Sequence, residues 1–113
     1  MNRAWMDRFI DTIEWFASAE DLARIMDWLR REGDEAARGI LAISPGTARG
    51  MSEALPYVGF KGGSEPGVIN LTYLTRNRAG VWHVVAGTWN NPQAAVDEAR
   101  FAALMTRGLQ LVQ

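Results

Sequence analysis

The hydrophobic period of this chain changes at Pro56, and that change limits the folds open to it. Beyond Pro56, residues 57–61, 68–76 and 81–89 are rich in β-branched and aromatic side chains, with the breaker runs "GGSEPG" and "NRAG" between them. Such runs parted by turn residues predict three consecutive antiparallel strands. Before Pro56 the apolar residues recur at three and four. Trp5, Met6, Phe9, Ile10, Ile13 and Phe16 predict a helix over residues 3–16 with one buried stripe. Ser18 and Asp21 have capping-box spacing, so a second helix starts there, lined by Leu22, Ile25, Met26 and Leu29. Gly33 is placed to end it in a left-handed cap. Asp34 caps a short helix to about Leu41, "SPGTARG" reads as a loop, and residues 51–55 form a further helical turn.

In 68–74, Ile69, Leu71 and Tyr73 share one face and Val68, Asn70, Thr72 and Leu74 the other; in the next strand Trp82, Val84 and Ala86 oppose Val81, Val85 and Trp89. Both faces are largely apolar, which calls for a layer on each side. A final helix over about 93–111, with Val96, Ala99, Ala103, Leu104, Leu111 and Val112 near one side, can supply one layer. The helices before Pro56 can supply the other. The expectation is a single α+β domain over residues 1–113: helices, then a three-stranded antiparallel sheet, then a C-terminal helix. Two free sheet edges remain, and these predict self-association.

Composition removes several functions. The chain has no cysteine and one histidine, His83, so thiolate and multi-histidine metal sites are excluded and no cofactor is expected. Twelve basic residues are mixed with thirteen acids, for a net charge of -1, which gives no counterion-release drive toward nucleic acid. No apolar run reaches the length of about 20 residues that spans a bilayer. No secretory signal is visible, so a cytoplasmic location, or a piece of something longer, is expected.

Only one of the twelve basic residues is lysine, and Lys61 stands between an apolar run and Gly62-Gly63. A phosphate loop needs glycine, four residues, then Gly-Lys-Ser/Thr opening a helix, whereas here the lysine comes first and a strand follows. A lysine on an edge strand beside a glycine hairpin also serves to discourage aggregation. A third possibility is a Lys-Thr/Ser-Gly-type triad facing a site, the lysine giving a fixed cation for a carboxylate and the glycines letting backbone groups reach the ligand. Elsewhere, His83 has no acid or serine at an interpretable spacing and reads as structural, Glu65 as a turn residue, and Trp89, Asn90 and Asn91 as a strand end that can line a pocket.

"LPYVGFKGGSEPGVINLTYL" with "VVAGTWNNPQAAVDEARFAALMTRGL" resembles the C-terminal portion of class A β-lactamase-like, penicillin-binding-type serine hydrolases, and "EWFASAEDLARIMDWLRR" resembles the helix that precedes it there. The resemblance runs from about Glu14 to the end. It implies that Lys61, Gly62 and Gly63 occupy the Lys-Thr/Ser-Gly motif, and that the Ser64 N–H completes an oxyanion hole while its C=O accepts from a substrate amide. The ligand it implies is a β-lactam-like or carboxylate-bearing small molecule, once an N-terminal part completes the site, in a full-length relative that can be periplasmic or secreted. Gly62 departs from the motif by lacking a hydroxyl. No Ser-x-x-Lys is present, because Ser18, Ser44, Ser52 and Ser64 are followed three residues on by Asp21, Thr47, Leu55 and Gly67, and no Ser-x-Asn occurs. With no nucleophile and no base, the chain alone is expected to carry no catalytic residue. The other reading is a non-catalytic binding or association module on the same scaffold.

Overall fold

The computed structural model describes residue 12 and residues 15–113. The helix expected over 3–16 lies outside these, apart from Thr12, Trp15 and Phe16, and the last two carry no regular structure. Helix α1 spans Ala19–Glu32. Its capping box is complete: Ser18 Oγ accepts from the Asp21 N–H at 3.0 Å, and the Asp21 carboxylate accepts from the Ser18 N–H at 2.9 Å. That backbone bond, followed by the bond to the hydroxyl, holds the Asp21 carboxyl below the ordinary carboxylate range. Arg30 and Arg31 both bond Asp27 at 3.0 Å and lower its pKa too. Gly33 ends the helix in extended backbone, not left-handed. Glycine is required there by close approach, since a Cβ would lie 2.4 Å from the Leu29 carbonyl oxygen.

Helix α2, Glu35–Leu41, starts at Asp34, whose carboxylate accepts from the Ala37 N–H at 2.8 Å. The segment read as a loop contains a 3-10 turn at Gly46–Ala48. Tyr73, fully buried, holds this turn in place, because its hydroxyl takes the Thr47 N–H at 3.0 Å and meets Thr47 Oγ1 at 2.8 Å.

The sheet is antiparallel with order β1-β2-β3: β1 Tyr57–Glu65, β2 Val68–Arg76 and β3 Trp82–Asn90. Strand β1 runs four residues beyond the expected end, through the glycines, and only Pro66 and Gly67 turn. Gly67 sits at φ +79°, the left-handed conformation that proline followed by glycine supplies in a two-residue turn. The glycines were expected to break the strand, yet Gly62 fits because Phe60 covers it: a Cβ there would meet the Phe60 ring at 2.7 Å and Leu71 at 3.3 Å.

Each face has its own layer. The face carrying Val58, Phe60, Ile69, Leu71, Tyr73, Val85 and Trp89 packs against helix α3, Glu98–Gln110, with Ala48 and Leu55 beside it. Burying each such large side chain contributes about 1.5–3 kcal/mol. The buried row of α3 is Phe101, Met105 and Leu109, four residues apart. The face predicted from sequence is wrong within the helix, where Leu104 is 65% exposed and Ala99 and Ala103 are exposed as well, and at Leu111, 88% exposed, whereas Val96 before the helix does pack against the core. The helix begins at an Asp97 cap whose carboxylate accepts from the Arg100 N–H at 3.0 Å, five residues after the expected start. Packing is set by the large side chains on the row above Gly87, not by the alanines. The opposite face, with Leu74 and Thr72 buried, is overlaid by α1 and α2. No helix among the described residues is long and apolar enough to cross a membrane.

Candidate functional site

Strand β1 is an edge strand, so half of its backbone groups face away from the sheet. The two-residue turn makes Glu65 and Val68 exchange their hydrogen bonds, which sets the phase of the ladder. The bond from the Asn77 N–H to the Val81 carbonyl at 3.0 Å, at the other end of β2, agrees with that phase. Lys61 and Gly63 therefore spend their backbone groups on Thr72 and Asn70, while the N–H and C=O of Gly62 and Ser64 point to the free edge. The Lys61 ammonium also reaches that edge and donates to the Gly62 carbonyl. One exposed cation and two outward N–H groups thus lie within four consecutive residues, Lys61, Gly62, Gly63 and Ser64.

On the α1 side the sheet floor opens into a cavity of about 1290 Å³. Its wall is apolar, from Leu22, Ile25, Met26 and Leu29 of α1, and its floor is polar, from Lys61, Asn70, Thr72, Thr88 and Asn90. These floor residues share one face, since Lys61 pairs with Thr72, and Asn70 with both Gly63 and Thr88. Thr72 Oγ1 donates to Asn70 Oδ1 at 2.7 Å, which leaves the Asn70 amide N–H groups as donors. Across the same edge a groove of about 500 Å³ is bordered by Ser44, Gly62, Ser64 and Glu98. The arrangement sets a cation and outward backbone groups beside an apolar wall.

The four sequence-derived positions come together on one edge. Asn90 and Asn91 border the cavity, whereas Trp89 is directed to the other face and packs on Phe101 at 6.4 Å between ring centroids. His83 is on the α3 face, half-buried, and its Nδ1 has no hydrogen-bond partner among the described residues. Glu65 is half-buried at the strand end. Sequence reasoning missed Asn70, Thr72 and Thr88 as site residues. Their signal was polar side chains on the same strand face as Lys61 in otherwise apolar segments.

Burial raises the Tyr57 hydroxyl above its ordinary pKa, only partly opposed by Arg38, and this hydroxyl donates to the Arg38 carbonyl at 2.9 Å. It tethers α2 to the start of β1. Comparison with protein families, with curated proteins and with solved structures finds no match in any of the three.

Proposed function

We propose that this chain is the C-terminal, substrate-binding portion of a serine β-lactamase-like hydrolase, with Lys61 as the cation for a substrate carboxylate and the Ser64 backbone as oxyanion donor and amide acceptor. The observation that carries this reading is the free edge of β1, where Lys61 Nζ and the outward N–H and C=O of Gly62 and Ser64 converge. Backbone N–H groups held on a strand need no reorganisation when negative charge develops on a substrate oxygen. Acyl transfer also needs a nucleophile and a base. The only lysine is Lys61, preceded three residues earlier by Val58, so no serine of this chain has a lysine one helical turn on to take its proton. The chain alone therefore binds and does not turn over. Gly62 gives up one hydroxyl contact to the carboxylate, and a larger residue there would require the Phe60 ring, 2.7 Å from an added Cβ, to shift.

The test adds a polypeptide bearing the Ser-x-x-Lys and Ser-x-Asn part and follows covalent labelling by a reporter penicillin. Labelling of the added serine is expected, and Lys61→Ala should lower its efficiency roughly ten- to a hundredfold, as for loss of a charge-assisted contact of about 1.5–3 kcal/mol. Lys61→Arg should retain part of it. Equal labelling in all three removes Lys61 from the site.

A non-catalytic association module is the second reading, and the closed core between the sheet and α3 favours it, because that half of the molecule is complete in itself. Binding of the same reporter without any labelling would support it.

A further inference from the structure

The two edges of the sheet, neither paired by another strand among the described residues, differ in chemistry. The β1 edge carries Lys61, Glu65 and three glycines, and charges of this kind keep an edge from pairing with another chain. Strand β3, nine residues long, contains no Asp, Glu, Lys, Arg or Pro. Because the odd residues of β3 bond to β2, the N–H and C=O groups of Trp82, Val84, Ala86, Thr88 and Asn90 point outward, and no described strand takes them. A long, uncharged edge without proline has none of the devices that block strand addition.

We propose that the β3 edge is the self-association surface of this chain, and that two copies pair antiparallel about a two-fold axis through Ala86 to form one continuous six-stranded sheet. The midpoint of Trp82–Asn90 is Ala86, an outward-bonding residue, so full overlap satisfies every outward group. Ala86 then meets the partner's Ala86, Val84 meets the partner's Thr88, and Trp82 meets the partner's Asn90. On the other face Val85 lies opposite the partner's Gly87, which brings no side chain of its own to the seam. No like charges face one another at any pair, which is what an isologous strand pairing requires. The two-fold axis is perpendicular to the sheet, so α1 and α3 of each copy remain on their own faces and both layers continue across the seam. The assembly closes at two copies, and the β1 edges with Lys61 remain free at its outer ends.

This inference goes beyond the reading of Lys61 and is tested without any ligand, so either can fail alone. Sedimentation of the 113-residue chain at about tens of micromolar, the range in which unpaired edges associate, should give a dimer. Amide hydrogen exchange should be slow at Val84, Ala86 and Thr88 and become faster on dilution, while Val58 and Phe60 exchange quickly throughout. Ala86→Pro removes an N–H that has no partner within the chain, so the fold is retained, and the two-fold axis removes the bond twice; the dissociation constant should rise about tenfold or more. Thr88→Lys, at an exposed site, should also produce monomers whose near-ultraviolet tryptophan signal matches the parent. A monomeric parent chain, a dimer protected at Val58 and Phe60 instead, a dimer indifferent to Ala86→Pro, or open-ended growth would each overturn the proposal.

Discussion

The two faces of the sheet began from similar apolar patterns and ended differently. On one, Phe101, Met105 and Leu109 of α3 close over Ile69 and Tyr73, and Tyr73 and Leu109 have no exposure at all. On the other, α1 covers Leu74 and Thr72, yet Ile25 remains 53% exposed above a polar floor and an open cavity. An apolar pattern thus shows that a face is to be covered, but the fit of the covering element decides whether it becomes core or cleft. Stability should belong mostly to the α3 face and binding mostly to the α1 face.

The sharpest way to break that contrast is to truncate one large side chain on each side. Leu109→Ala leaves a cavity in a closed core and should cost about 2–5 kcal/mol, whereas Ile25→Ala at the cleft wall should stay within about 0.5 kcal/mol. Urea unfolding at neutral pH reads both values. Equal losses would mean that the α1 face is as tightly built as the α3 face.

Tyr73→Phe refines the comparison within the closed face. It keeps the ring that lies on Phe60 at 4.9 Å and removes only the hydroxyl that holds Thr47. The expected loss is about 1–2 kcal/mol, because the Thr47 N–H is left without its acceptor in a partly buried place. Proteolysis near residues 44–50 should also become faster, and an unchanged cleavage rate would show that the turn at Gly46–Ala48 is held by something other than this hydroxyl.

A smaller loss than that of Tyr73→Phe belongs to the entry of α1. Ser18→Ala removes half of the capping box and should cost about 1 kcal/mol at pH 7. Asp21 and Asp27 have carboxyls whose folded pKa is lowered, Asp21 by the Ser18 bonds and Asp27 by Arg30 and Arg31. Their contribution is therefore present above the unfolded carboxylate value of about 3.9 and is lost as pH falls through the lower folded values. Stability measured by urea titration should be flat from neutral pH to about pH 5 and decline below it. Stability that rose toward pH 3 would contradict both assignments.

The elements that could be read in advance share a local cause. The Ser18 capping box, the Asp34 cap and the Pro66-Gly67 turn depend on groups within a few residues of one another, so spacing alone reveals them. The edge position of Lys61 was likewise legible from consecutive hairpins, but the outward backbone of Gly62 and Ser64 was not, since the strand was expected to stop at Lys61. Where reading failed, the cause was distant. Gly62 and Gly63 were expected to end β1, but pairing with Leu71 and Asn70 and cover from Phe60 carry the strand through them. Rows of alanine and leucine pointed to the wrong side of α3, because a helical pattern with apolar residues around much of its circumference does not say which row meets the sheet. Gly87 makes that choice: it leaves the space that Met105 and Phe101 fill.

By itself, then, the sequence determined the order of the described helices, strands and turns, the two-sided burial of the sheet, the absence of any Ser-x-x-Lys, and the isolation of one lysine on an edge. Only the tertiary structure decided that α3 turns its Phe101–Met105–Leu109 row inward, that Asn70, Thr72 and Thr88 join Lys61 as the floor of a cleft, and that no other described strand pairs with the uncharged β3 edge. The division follows from range: backbone period and capping are settled among near neighbours, whereas which faces close and which stay open depends on shapes that meet only after residues far apart in the chain have packed.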